Sequence, residues 1–141
     1  MNTSNASNTS TGSTRINMCR LLKNALSRME AKIGADAYIV AWYLGRCMGE
    51  VLAQQLKVST QDSIKSSLER LSSIKFFKFT VNKKEDEVIV KASKVKSCME
   101  EALAKGIIEG YLSTIIGSKV VAKKVRKKTK TCSVFILIYS K

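Results

Sequence analysis

The chain has 141 residues, 45% of them apolar, and a formal net charge of +14 at pH 7. This length and apolar content suffice for one domain with its own core. The sequence contains no histidine, so it lacks the commonest general base and the commonest metal ligand of proteins. No stretch reaches the roughly 20 apolar residues of a membrane span, and the first residues lack the pattern of an export signal. We therefore expect a cytoplasmic protein with no membrane span.

The N-terminal half begins with a polar tail and continues as three helices. Residues 1–14 are almost entirely Asn, Ser and Thr, which bury too little apolar surface to offset the entropy of ordering. We expect a disordered tail over 1–14 and a single domain over 15–141. Apolar positions three or four residues apart predict helices over about 15–32 and 37–56, and a third helix capped at 59–62. The second is apolar on nearly every face at first, which favours a central helix or a subunit interface.

The C-terminal half alternates strands with one long helix. Aromatic and β-branched residues over 74–81 and 88–92 predict a hairpin. Two further strands are predicted over 120–125 and 132–139, and the last is apolar on both faces, so we expect it to be covered on both sides. Three helices, a β-hairpin, a long helix and a second β-hairpin give an α+β fold, with a four-stranded antiparallel sheet packed on helices.

The long helix over 97–117 carries the strongest local signals. Ser97 followed by Glu100 is a capping box, and Gly117 is a typical end of a helix. Its apolar positions recur on one face. The opposite face carries three charged residues at i,i+4 spacing, which predicts a solvated side with ion pairs: Glu101, Lys105 and Glu109.

Two pairs of glycines predict a close helix crossing. Gly106 and Gly110 lie four residues apart in the long helix, and Gly45 and Gly49 do so in the second helix. Each glycine in a helix interior costs about 1 kcal/mol relative to alanine, so close approach of the two backbones should offset that cost. Together with Trp42, these glycines are the predicted helix-packing or dimer-interface residues.

Three segments resemble the 4-vinyl-reductase-type domains and the related small subunits of the TRAPP vesicle-tethering complex. Residues 44–52, LGRCMGEVL, are similar to the family's Gly-Arg-x-x-Gly helix. Residues 105–112, KGIIEGYL, are similar to its Gly-x-x-x-Gly helix, and residues 131–136, TCSVFI, to its closing Cys-x-Phe strand. The resemblance spans about residues 35–140, with the segments in the family's order.

The resemblance implies an α/β plait that dimerises through its helices. Some family members hold an apolar small molecule or an acyl chain between helices and sheet, and others are scaffolds in tethering complexes or sensor domains attached to regulators. An apolar pocket is therefore a hypothesis for Tyr38, Phe77, Phe79 and Tyr111, although large aromatics are more often core or interface. The zinc ligands of some 4-vinyl-reductase domains are absent, because Val121 and Lys124 occupy the corresponding positions.

A basic run over 119–130 supports an alternative function. It carries seven cations and no acidic residue, and such a run either protects a sheet edge or contacts phosphates. The anion-binding hypothesis, for nucleic acid or an anionic membrane, rests on Lys123, Lys124, Arg126, Lys127 and Lys128.

The sequence as a whole favours a non-enzymatic, homodimeric protein-interaction scaffold that binds other proteins and holds an apolar ligand in its core. No G-x-S-x-G elbow, phosphate-binding loop or histidine-based triad is present, and we expect no cofactor and no metal. The four cysteines are widely spaced and mostly in apolar patterns, which predicts buried free thiols.

Overall fold

The computed structural model describes residues 16–57, 63–84, 86–129 and 132–139. The predicted tail, 1–14, and the predicted cap of the third helix, 59–62, lie outside the described residues. The order of helices and strands is the predicted one, with a short 3-10 turn over Ser72–Ile74. In chain order the elements are α1 Met18–Ile33, α2 Asp36–Gln55, α3 Ile64–Leu71, β1 Lys78–Lys84, β2 Glu87–Ser93, α4 Cys98–Ile116, β3 Val120–Thr129 and β4 Cys132–Tyr139.

The four strands form one antiparallel sheet in the order β1-β2-β4-β3. Val90 of β2 lies opposite Phe135 of β4, and Leu137 of β4 lies opposite Ala122 of β3. These alternate residues are buried on the face that meets the helices, because successive side chains of a strand point to opposite faces. The fold is therefore α+β, with a four-stranded antiparallel sheet packed on helices.

Strand β4 is central in the sheet, but the expectation that it is covered on both faces is wrong. Its inward residues, such as Phe135, are buried, whereas Ile138 on the other face is 53% exposed. Val134 and Ile136 on that outer face are only partly buried. The outer face of β4 is therefore only partly covered, and its apolar residues serve strand formation more than core packing.

The helix ends follow local capping chemistry. Ser97 accepts a hydrogen bond from the backbone N–H of Glu100 through its hydroxyl oxygen (3.1 Å), and Gly117 adopts the left-handed conformation with φ of 80°. Asn17 caps α1 in the same way. Helix α2 lacks such a cap, because Asp36 is its first residue and Ala35 precedes it without a side-chain hydrogen bond.

Helix α2 turns its small residues inward. The buried positions recur every four residues and carry no side chain larger than a methyl group: Ala37, Ala41, Gly45, Gly49 and Ala53. This face packs against α4. Of the two predicted placements of α2, the central one is therefore wrong: the buried central helix is α4, and several large apolar side chains of α2 are exposed on the side away from it.

The two glycine pairs lie at the crossing of α2 and α4. A Cβ atom on Gly106 would lie within 3.0 Å of the backbone of Trp42, Arg46 and Gly45, and a Cβ on Gly110 would meet the backbone of Arg46 equally closely. Added Cβ atoms on the glycines of α2 would collide in the same way with the backbone of α4. Here the helices approach so closely that only hydrogen fits between their backbones.

The prediction of a solvated face on α4 is wrong. Glu101 and Glu109 are buried, as is Glu100, because α4 lies between α2 on one side and the sheet on the other. The predicted i,i+4 pair of Lys105 and Glu109 does form, with Nζ 2.8 Å from Oε2, but its carboxylate belongs to the protein interior. In the described ranges, no helix is long and apolar enough to cross a membrane.

The crossing predicts the sign of one substitution. Alanine is more favourable than glycine in an open helix by about 1 kcal/mol, so Gly106→Ala would stabilise the protein if the helices were further apart. We expect instead a loss of about 2 kcal/mol or more in the free energy of unfolding, because the methyl group meets backbone atoms that cannot rotate away. Urea denaturation measures this difference.

Gly117→Ala is the matched control. Gly117 has open space around its Cα but a positive φ, so we expect only the conformational cost, about 1 kcal/mol. An increase in stability for Gly106→Ala would contradict the close crossing.

Candidate functional site

Glu109 is the most heavily engaged carboxylate of the described structure, with 2% of its surface exposed. Its Oε1 accepts a hydrogen bond from Trp42 Nε1 (2.6 Å) and lies 3.6 Å from the guanidinium of Arg46. Its Oε2 accepts from Lys105 Nζ (2.8 Å) and from the backbone N–H of Ala122 (2.9 Å). A buried carboxylate is tolerated only with such partners, and these join α2, α4 and β3 at one point.

Two cations lie close to the ring of Trp42. The guanidinium carbon of Arg46 is 5.3 Å from its ring centroid, and Lys105 Nζ is 5.4 Å from it. The ring of Tyr43 packs edge-on against Trp42, at 5.0 Å between centroids. Glu50 lies four residues after Arg46 on α2, a spacing that allows an ion pair. Arg46 turns instead toward Glu109 on α4, where the carboxylate is shielded from water.

Glu101 forms a second buried anchor, one that joins α4 to the sheet. Its Oε2 accepts a hydrogen bond from the hydroxyl of Ser133 on β4 (2.6 Å), and its Oε1 pairs with Lys124 Nζ on β3 (2.9 Å). The bond to Glu101 raises the pKa of Lys124 above its ordinary value of 10.5. Tyr38 lies nearby, and burial raises the pKa of its hydroxyl above 10.0, with a further increase from the negative charge of Glu101.

An open apolar pocket of about 380 Å³ lies between α2 and the segment that follows α3. Among the described residues, its lining has no charged side chain and no hydroxyl group, and consists of Cys47, Met48, Val51, Leu52, Ile74 and Phe76. Cys47, Met48, Val51 and Leu52 lie on the same flank of α2, because residues three or four positions apart share a face of a helix.

The residues predicted to line an apolar pocket do not line this one. Phe77 and Phe79 pack edge-on in the core with ring centroids 6.1 Å apart. Tyr111 is fully buried and donates its hydroxyl hydrogen to the carbonyl oxygen of Ser67 (2.7 Å). Tyr38 lies on α2, away from these three, and is partly exposed. The sequence showed which aromatics are present but not which helix flank is open.

The prediction of buried thiols holds for only one cysteine. None of the four forms a disulfide bond among the described residues; Cys132 is buried, but Cys47 and Cys98 are exposed and Cys19 is partly buried. Cys47 follows the inward-facing Gly45 by two positions, so it lies on the outward side of α2, at the apolar pocket. No group of three or more His, Cys, Asp or Glu side chains is assembled in a metal-binding arrangement among the residues that the structure describes.

The predicted anion-binding residues do not form one patch where they are described. Lys124 faces inward and pairs with Glu101, whereas Lys123, its neighbour in β3, is exposed on the outer side of the sheet. The side chains of Arg126, Lys127 and Lys128 lie outside the described part of the structure. Binding of nucleic acid or acidic lipid by this run stays a prediction.

Comparisons with known proteins give the fold and no family. No family model and no curated protein matches the chain. One similar solved structure is the phenol-responsive sensory domain of the transcription activator PoxR with phenol, at 14% identity and a TM-score of 0.60, over 86% of this chain and 74% of that one.

Two other similar structures are mutants of H-NOX proteins. The T. tengcongensis protein has 10% identity and a TM-score of 0.63, over 90% of this chain and 76% of that one. The protein described as Cs H-NOX has 12% identity and a TM-score of 0.59, over 95% and 79%. At these identities the likeness concerns the fold alone.

The Lys124–Glu101 pair predicts a pH-dependent contribution to stability. Folding raises the pKa of Lys124. The stability that the ion pair contributes is therefore fully present below pH 10.5 and is lost as the pH rises through the folded-state pKa. We expect Lys124→Met to lower the free energy of unfolding by about 1 kcal/mol at pH 8. The difference from the unsubstituted protein should shrink at higher pH, as measured by denaturation at a series of pH values.

Lys123→Met provides the control, since it removes an exposed lysine from the next position with no ion pair among the described residues. Its effect should not change over the same pH range. A pH-independent difference for Lys124→Met would contradict the assignment.

Proposed function

We propose that this chain is a non-enzymatic binding module that takes a small apolar molecule in the pocket beside α2. The observation that carries the proposal is the lining of that pocket, where the residues that the structure describes offer apolar side chains and one thiol but no carboxylate, amine or hydroxyl. Such a lining binds by excluding water, and among its described side chains only the thiol of Cys47 can exchange a proton. Its volume of about 380 Å³ lies within the usual range of small-molecule sites.

The fold supports this proposal. PoxR contains a sensory domain of similar fold that responds to phenol, a small molecule with a mainly apolar ring. The resemblance to 4-vinyl-reductase domains and small TRAPP subunits also supports it, because some members of that family hold an apolar ligand and some are sensor domains attached to regulators. Membership in that superfamily is part of the proposal, as is its plait-type arrangement of helices and sheet.

We further propose that two copies associate through the outward face of α2. The face is lined by exposed apolar residues, Ile39, Val40, Tyr43, Leu44 and Val51, together with Cys47. The chain has a net charge of +14, so most surfaces of two copies repel each other. Helix α2 adds only one cation, Arg46, and its side chain turns toward Glu109. An apolar face with little positive charge of its own is therefore suited to a second copy, and a two-fold axis would bring like surfaces together.

Phenol is the probe for the pocket. We expect the protein to bind phenol, and Val51→Trp to abolish this binding, because the indole ring would occupy the pocket from its lining. Saturation-transfer NMR on phenol measures the effect without a label on the protein.

Val125→Trp is the matched control, since Val125 is 49% exposed like Val51 but lies on β3 outside the pocket. It should bind phenol as the unsubstituted protein does. Equal binding by the Val51→Trp variant would place the ligand elsewhere, and the proposal would fail.

Self-association has its own test. We expect a dimer in sedimentation velocity, and we expect Leu44→Lys to weaken it by more than about tenfold, because a two-fold axis places two introduced charges against each other. Ile138→Lys introduces the same charge at an exposed apolar residue of the outer sheet face and should leave the dimer intact. A monomeric unsubstituted protein, or equal weakening by the two variants, would refute association through α2.

A further inference from the structure

A second cavity, of about 580 Å³, lies on the other flank of α2, where α2, α4 and β3 meet. Its lining differs from that of the apolar pocket, because it combines two aromatic rings with three cations. The rings belong to Trp42 and Tyr43, and the cations to Arg46, Lys105 and Lys119. We propose that this cavity binds a small organic anion with a planar apolar group, of which an aromatic carboxylate is the simplest example.

The charge balance favours an anion. Glu109 is the one acidic residue among the described residues that line the cavity, so three cations face one carboxylate. Both oxygens of Glu109 are already engaged by Trp42, Lys105 and the backbone of Ala122. The carboxylate therefore fixes its neighbours in place and leaves a net positive cavity above it.

Two of the cations retain donors for a ligand. Arg46 lies 3.6 Å from Glu109, beyond a short hydrogen bond, and its guanidinium carries five N–H donors in a fork that suits a carboxylate. Lys119 takes part in no ion pair among the described residues. Ser113 Oγ accepts from the backbone N–H of Val120 (3.0 Å), so its hydroxyl hydrogen can point to a ligand in the cavity.

The aromatic rings give the cavity a surface for a planar group. Trp42 and Tyr43 meet at an interplanar angle of 68° and form a corner. Tyr43 is 60% exposed, so its ring is accessible from the cavity side. A ligand ring that packs into this corner buries apolar surface and gains edge or stacking contacts, while its carboxylate reaches Lys119 and Arg46.

Benzoate, benzyl alcohol and acetate separate the two parts of the proposal. Trp42 is the only tryptophan of the chain, so its fluorescence reports on this cavity, and calorimetry provides an independent affinity. We expect saturable binding of benzoate, with benzyl alcohol and acetate at least about tenfold weaker, because one lacks the charge and the other the ring. Benzyl alcohol can also enter the apolar pocket, so the comparison depends on the Trp42 signal. Equal affinity for benzyl alcohol or for acetate by fluorescence would overturn the proposal, as would the absence of benzoate binding.

Two lysine variants locate the anion. Lys119→Gln should weaken benzoate binding by about fivefold, the effect of one partly solvated ion pair. Lys123→Gln changes the net charge equally but lies outside the lining of the cavity, so it should bind benzoate like the unsubstituted protein. An equal loss in the two variants would mean a general charge effect and would overturn the site. Neither variant touches the apolar pocket, so this test is independent of phenol binding.

Discussion

The close crossing of α2 and α4 determines the arrangement of the rest of the molecule. Because glycines remove the side chains from the contact, the backbone of Trp42 and Arg46 lies directly against Gly106 and Gly110. This proximity allows the Trp42 indole to reach Glu109 at 2.6 Å. It also leaves several large apolar residues of α2 exposed on the side away from α4, since the inward positions admit no more than a methyl group. Both candidate cavities and the outward apolar face are consequences of this geometry.

The buried glutamates of α4 hold the surrounding elements together. Glu100 pairs with Lys23 of α1, Glu101 with Lys124 and Ser133 of the sheet, and Glu109 with residues of α2 and β3. Burial of a carboxylate is costly, and charged or hydrogen-bonding partners offset that cost only at good geometry. These contacts therefore fix the position of α4 relative to its neighbours, which nonpolar packing alone would leave less specific.

The sequence predicted features that depend on neighbours along the chain. The helix ends at Ser97 and Gly117, the order of elements and the glycine crossing all follow from local conformational costs or regular spacing. It did not predict the direction of Glu101 and Glu109, because periodicity assigns residues to a face but does not show what covers that face. One signal was available: α4 carries a single lysine in a chain with 25 basic residues, which is unusual for a solvated helix. The pockets were missed because they depend on which flank of α2 its neighbours leave uncovered.

Helix α2 connects the proposed sites. The apolar pocket lies on one flank, through Met48 and Leu52, and the cationic cavity lies on the other, through Trp42 and Arg46. The outward face lies between the two cavities. It shares Val51 with the apolar pocket and Tyr43 with the cationic cavity. A ligand that packs on either shared residue changes the apolar area that α2 offers to a second copy. Because coupling between two binding events is reciprocal, association through α2 would change the affinity for that ligand by the same factor.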